Sequence, residues 1–203
     1  MPRTRFKIVL TLCCAGFVTA CQQQGDTSRQ TTESDMATYR ATDYPVTLEY
    51  DRSLERIDGD PSGYFENGSW QIADDTPGKR LITLSLPESN DLATGLWRLG
   101  ASRDPAAVGA CLTPPPNARA MPSKTTIGGN PFDGFTLGDA GMNHFQSIEG
   151  YRAVIDETCY AIDLIVQGTN GEVYDPPRKA PFSRGEALKQ LEIINDGVSF
   201  SDE

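Results

Sequence analysis

Two alternating runs, 146–155 and 159–166, are separated only by Asp156, Glu157 and Thr158. So short a link closes an antiparallel hairpin, because parallel neighbours need a crossover of about a dozen residues or more. Tyr160, Ile162, Leu164 and Val166 recur at every second position of the later run and line one face. Cys159 and Ile165 fall on the other. The same alternation places Val46, Leu48 and Tyr50 on one side of a strand, and Ile82, Leu84 and Leu86 on one side of another that Pro87 ends. Trp97 and Leu99 continue the sheet, and a further run of strands extends from Thr125 through Phe135, Thr136 and Leu137. Asn67-Gly68, between Tyr64-Phe65 and Trp70-Gln71-Ile72, predicts a second hairpin.

Helical signals occur at two places. Asp104-Pro105 reads as an N-cap followed by proline at the first helical position. Val108, Cys111 and Leu112 then share the buried side of a short helix that Pro114, Pro115 and Pro116 end. Near the end of the chain, Ser183 and Glu186 form a capping box. Ala187, Leu188, Leu191 and Ile194 follow at helical spacing, and Gly197 stands where a C-terminal cap belongs. Val198, Ser199 and Phe200 close the chain. The class is therefore α+β: an antiparallel sheet, a short mid-chain helix and a C-terminal amphipathic helix. This order resembles the PsbP-like α/β/α sandwich over roughly 44–200, a likeness of topology without a diagnostic motif. The resemblance implies an accessory or binding protein more often than an enzyme.

The N-terminus carries a different kind of signal. Arg3, Arg5 and Lys7 precede an uncharged run, 8–20, that ends in the small residues Val18, Thr19 and Ala20 before Cys21. Basic, apolar and small-residue regions in that order make a secretory signal peptide. The cysteine directly after them resembles the lipobox of bacterial lipoproteins. That likeness implies cleavage between Ala20 and Cys21, acylation of Cys21, and insertion of the acyl chains into the bilayer. A run of about 13 residues rises about 20 Å as a helix, short of the roughly 30 Å hydrocarbon core, so a permanent span is not expected. In the lipoprotein family Gln22 after the cysteine, where aspartate would retain the protein at the inner membrane, implies the outer membrane, facing the periplasm. The expected organisation is a signal peptide at 1–20, a flexible polar tether at 21–42 and one globular domain at 43–203. It also resembles uncharacterised lipoproteins of the Gram-negative envelope.

Taking Arg3, Arg5 and Lys7 from the 18 basic residues leaves 15 against 28 acidic ones, a formal charge near −13. Nucleic acid and anionic lipid surfaces both demand lysine and arginine, so neither is an expected partner. A solvated envelope domain, or a protein partner with a basic surface, suits the charge. Of the five cysteines, Cys13 and Cys14 leave with the signal peptide and Cys21 is acylated. Cys111 and Cys159 remain as one pair in an oxidising compartment and are expected to form a disulfide.

Candidate chemistry is sparse. His144 is the chain's single histidine, the side-chain type that exchanges protons near neutrality. A hydrolase would use it as general base, with Ser123 or Ser147 as nucleophile and Asp139 orienting the ring. No Gly-x-Ser-x-Gly elbow is present, and His144 reads better as a loop histidine or one bonded at a strand entrance. The glycines before it read as tight-turn residues. Asp58, Asp60 and Ser62 match the opening of a calcium loop, with Glu66 at its ninth position. Ser69 replaces the closing carboxylate, so this reads as an acidic turn and only weakly as a metal site. The stretch 168–177, with Tyr174 and two prolines, reads as a loop packed over a sheet edge or, alternatively, anchoring a partner. No cofactor is expected. The sequence points to a non-enzymatic, lipid-anchored binding or envelope accessory module. An inhibitor or immunity protein against a cell-wall hydrolase, and a hydrolase using His144, are the alternatives.

Overall fold

The structure, a computed structural model, describes residues 35–59, 64–72 and 76–201. Among the described residues there are eleven strands: β1 Met36–Arg40, β2 Val46–Asp51, β3 Glu55–Arg56, β4 Lys79–Ser85, β5 Thr94–Ser102, β6 Arg119–Ala120, β7 Thr125–Ile127, β8 Asn130–Gly141, β9 His144–Ile155, β10 Thr158–Thr169 and β11 Val198–Phe200. Helix α1 spans Pro105–Ala110 and α2 spans Arg184–Ile193. The fold is α+β, and every strand pairing is antiparallel. The large sheet runs β3-β4-β5-β10-β9-β8-β6, with β7 added against β8; β1-β2-β11 form a small second sheet.

The hairpin of β9 and β10 is the centre of the large sheet. Ile155 pairs with Thr158, so the link is the two-residue turn Asp156-Glu157, both in the left-handed region at φ 45° and 58°. Left-handed geometry at both central positions matches the right-handed twist of the strands it joins. Residues 158–167 of β10 are all buried, as a strand covered on both faces must be. Tyr160, Ile162, Leu164 and Val166 face the main core with Leu84, Trp97 and Leu99 of the neighbouring strands. This is the front face. Val46 and Leu48 of β2 and Ala187 and Leu191 of α2 cover it. The Trp97 indole donates to Asn195 Oδ1 at 2.9 Å, which fixes the end of α2 to the sheet.

Both helix starts follow the expected chemistry. Asp104 Oδ1 accepts from the Ala106 and Ala107 amides, and Ser183 and Glu186 make the reciprocal capping box. The buried side of α1 differs from expectation: Ala107 and Cys111 are buried, whereas Leu112 is 48% exposed because the helix has ended at Ala110. Gly197 is not a left-handed cap either. A 3-10 turn, Ile194–Gly197, extends α2 instead. A Cβ on Gly197 would lie 1.9 Å from the Glu49 carbonyl oxygen, so glycine lets the chain cross β2 closely.

Three further differences stand out. Met36–Arg40 is a strand, where composition reads as tether; backbone pairing to β2 and the inward Ala37 and Tyr39 hold an edge that is otherwise polar. Tyr64-Phe65 and Trp70-Gln71-Ile72 do not pair as a hairpin, because Trp70 and Ile72 are drawn down onto the large sheet. Gly138 and Gly141 lie within β8, and the turn into β9 is made by Met142 and Asn143 at φ 51° and 68°. Among the described residues, the back face of the large sheet is covered by the six residues of α1 and by segment 64–72, with Ala118 and the turn at 90–92 at its margins.

Cys111 is bonded to Cys159, joining the end of α1 to the back face of β10 across 48 residues of sequence. Closing a loop of that size contributes about 4 kcal/mol in the chain-entropy account. The double variant Cys111→Ser/Cys159→Ser is expected to lose stability of that order in urea unfolding, with an unchanged far-ultraviolet dichroism spectrum before the transition.

Candidate functional site

The back face is assembled by register. Along β10 it presents Cys159, Ala161, Asp163, Ile165, Gln167 and Thr169, alternate residues of one strand. Segment 64–72 lies across this face. Trp70 is fully buried with Ala107, Cys111, Cys159 and Ala161, and its indole donates to the Thr76 carbonyl at 2.9 Å. A Cβ on Gly100 of β5 would come 2.1 Å from the Trp70 carbonyl oxygen, so the segment's backbone rests directly on the sheet. Farther along, Ile72 packs with Leu96, Phe135, Ile148 and Ile165.

Between these two apolar seats lies a buried ion cluster. Asp163 has no exposed surface. Its Oδ2 accepts from Arg98 at 2.7 Å and from the Ile72 amide at 3.0 Å, and its Oδ1 pairs with Arg152 Nη2 at 2.8 Å. Arg98 stands directly opposite Asp163 in the β5–β10 register, and Arg152 lies diagonally across on β9. Burial by itself pushes the Asp163 carboxyl upward, but Arg152 and then Arg98 outweigh it and hold the group below the usual aspartate range. Sequence reasoning passed over this cluster. Its signal was a charged residue in the middle of each of three apolar strands: Arg98 after Trp97, Arg152 after Tyr151, and Asp163 between Ile162 and Leu164.

Beyond Ile165 the face turns polar. Gln167 pairs in register with both Gln146 and Thr94, and Thr169 with His144. The Gln167 carbonyl oxygen accepts from Asn67 Nδ2 and Gln146 Nε2, each at 3.2 Å, while Gln146 also donates to Asn67 Oδ1 at 2.6 Å. Of these amides Gln167 reaches the floor of a cavity of about 200 Å³. Tyr64 and Phe65 form one wall, and the turn carrying Asn90 and Asp91 the other. Tyr64 stacks on the His144 ring, with centroids 4.1 Å apart and planes 10° apart. His144 Nδ1 lies 3.1 Å from Thr169 Oγ1. Asp91 is clamped by both terminal nitrogens of Arg178 at 2.7 and 2.8 Å, which holds its carboxyl below the usual range. The Arg178 guanidinium in turn lies over the Tyr174 ring at 4.7 Å, so the 168–177 loop closes on itself and on the cavity wall.

The structure does not gather the expected hydrolase partners around His144. Ser147 sits on the opposite face of β9, where Arg184 of α2 donates to it at 3.4 Å. Asp139 accepts from the Ala140 amide, and Ser123 is exposed between β6 and β7. In the acidic turn, Asp58 pairs with Arg56 at 3.6 Å and Glu66 is exposed, while Asp60 and Ser62 lie outside the described residues. Ala20 and Cys21 lie outside them as well. Among the described residues no three histidine, cysteine or acidic side chains gather as a metal site, and no helix is long and apolar enough to cross a membrane.

No known protein family and no curated protein matches the chain. Among solved structures, it is similar to the crystal structure of LpqN, described as involved in cell envelope biogenesis of Mycobacterium tuberculosis. The identity is 12% and the TM-score 0.42, over 82% of this chain and 92% of that one.

Removing one member of the ion cluster leaves the others buried and uncompensated. Asp163→Asn is expected to cost about 3–5 kcal/mol in equilibrium unfolding, whereas the triple replacement Arg98→Met/Arg152→Met/Asp163→Leu stays much nearer the parent. The cluster also sets an acid limit. Because the folded carboxyl titrates below the unfolded value of about 3.9, its stabilisation is complete above that pH and is lost as pH falls through the folded value. In a pH series of melts, Asp163→Asn should flatten that acid-side fall.

Proposed function

We propose that this protein is a lipid-anchored accessory module of the bacterial envelope that binds an envelope component without transforming it. The observation that carries the reading is the back-face cavity: it offers aromatic faces and hydrogen-bonding amides and hydroxyls, and its histidine is engaged by Tyr64 and Thr169, with no serine beside it among the described residues. The Cys21 motif supplies the location, with the acyl chains of Cys21 in the outer membrane and the acidic domain facing the periplasm. Its test is a crosslinked pull-down of the full-length protein from native envelopes. The wild type is expected to incorporate an alkyne-labelled palmitate, to fractionate with the outer membrane, and to retain one stoichiometric component. Cys21→Ala should lose the label and move to the soluble fraction. A component retained equally by residues 1–34 fused to an unrelated domain would count against recognition by this one.

A second reading, inhibition of a basic cell-wall hydrolase, is favoured by a separate groove. Met36, Leu54 and Ile193 line it, with Met36 43% and Ile193 67% exposed, and the acids Glu49, Asp51 and Asp196 stand among them. An apolar strip edged by carboxylates complements a basic protein surface. In lysis assays with a panel of lysozymes, inhibition that Asp51→Lys/Asp196→Lys abolishes is the expected result on this reading. Lysis at full rate with every enzyme eliminates it.

A further inference from the structure

The binding reading leaves the ligand of the back-face cavity undefined, and the geometry points to its class: we propose that the cavity takes a single uncharged pyranose ring of an envelope saccharide, stacked on Tyr64 and hydrogen-bonded by Gln167. The inference rests on the reading above and goes further by naming what is bound.

Gln167 provides the first argument. It is only 6% exposed, yet it lines the cavity. Asn67 and Gln146 both present amide N–H groups to it, so its carbonyl oxygen must face them and its own –NH₂ must face away. Among the described residues no acceptor meets that –NH₂, which is left open to the cavity. Held in one direction, that donor is turned toward water or a ligand hydroxyl. A ring hydroxyl entering the cavity supplies an acceptor there, and the hydroxyls of Thr94 and Thr169 lie on the same floor.

Tyr64 provides the second. It is 55% exposed although it belongs to a segment otherwise anchored by buried Asn67, Trp70 and Ile72. One face of its ring lies on His144 and Phe65 meets it edge-on, with centroids 5.0 Å apart. Aromatic rings displayed beside hydrogen-bonding groups suit ligands that are apolar on one side and polar at the edge. A pyranose has that character, with axial C–H groups on its faces and hydroxyls around its rim.

Charge and size narrow the class. Among the described residues, the one carboxylate in the lining, Asp91, is neutralised by Arg178, and no lysine or arginine lines the cavity. Anions therefore find no cation and cations no free anion. The volume, about 200 Å³, is below the ~300–1,000 Å³ typical of drug-sized ligands, which fits one ring of a larger chain.

The test is saturation-transfer NMR on the full-length protein in a detergent without a sugar headgroup. The probes are glucose, galactose, mannose, N-acetylglucosamine and its β-1,4-linked disaccharide, with sorbitol as an open-chain polyol. At least one pyranose is expected to receive saturation and sorbitol none. Tyr64→Ala should weaken that binding about tenfold while Tyr64→Phe keeps it, with thermal melts showing both variants folded. No transfer to any sugar, equal transfer to sorbitol, or undiminished binding by Tyr64→Ala would each overturn the proposal. A protein captured in the envelope pull-down alongside a negative sugar panel would refute the ligand class alone. Failure of both experiments would refute the binding reading itself.

Discussion

A carboxylate with no exposed surface, Asp163, sits between two guanidiniums, and the back face is organised around that arrangement. Removing a charge from water costs several kcal/mol, which is recovered only when its lone pairs are met with good geometry. Two of the partners come from the sheet, Arg98 and Arg152. The third is the backbone amide of Ile72, in a segment with no regular secondary structure. That amide cannot leave without taking a hydrogen bond from a buried charge. Segment 64–72 is thereby tied to the sheet as firmly as a strand would be, although it forms no ladder.

The cavity follows from where this tie ends. Trp70 seats beside the disulfide and Ile72 beyond the ion cluster, and Gly100 allows the backbone between β5 and the indole to approach. Strands β9 and β10 are each twelve residues long and run on past these seats. Their back-face positions at that end, Gln146, Gln167, His144 and Thr169, lie beyond the Trp70 and Ile72 seats. Asn67 and Tyr64 of the segment arrive there instead, and the Leu92 carbonyl accepts from the Thr169 amide at 3.2 Å to close the far wall. An apolar seal over most of the sheet thus gives way to a polar recess at one end.

Strand alternation and caps made much of this fold legible. The β9–β10 hairpin, the two-face division of β10 and both helix N-caps are local patterns of three to ten residues, and local chemistry decides them. What escaped was decided at a distance. Trp70 and Ile72 look like strand residues flanking Asn67-Gly68, but their burial against the sheet outweighs any pairing with each other. Gly197 looks like a cap, yet its conformation answers to Glu49, nearly 150 residues earlier. Met36–Arg40 reads as tether because an edge strand can be held by its backbone alone. The site was the least legible part. Its members come from residues 64–67, 90–94, 144–146 and 167–169, and strand register together with the crossing of segment 64–72 brings them together. His144 drew attention as a lone histidine; Gln167, which no motif marks, contributes the donor left open to the cavity.

The ion cluster and the recess are two parts of one design problem. Replacing a buried ion pair with well-packed apolar groups is often neutral or stabilising, so net stability alone is a weak reason for Asp163, Arg98 and Arg152 to be there. Direction is a better one. An apolar seat permits a loop to slide by a side chain's width, whereas a carboxylate bonded in register to Arg98 and to the Ile72 amide allows one position. That position fixes Asn67 against Gln146 and Gln167, and so fixes which side of Gln167 is turned toward the recess. A donor oriented before any ligand arrives spends little entropy on binding. Three charges in the interior thereby set the geometry of a site that itself carries no unpaired charge.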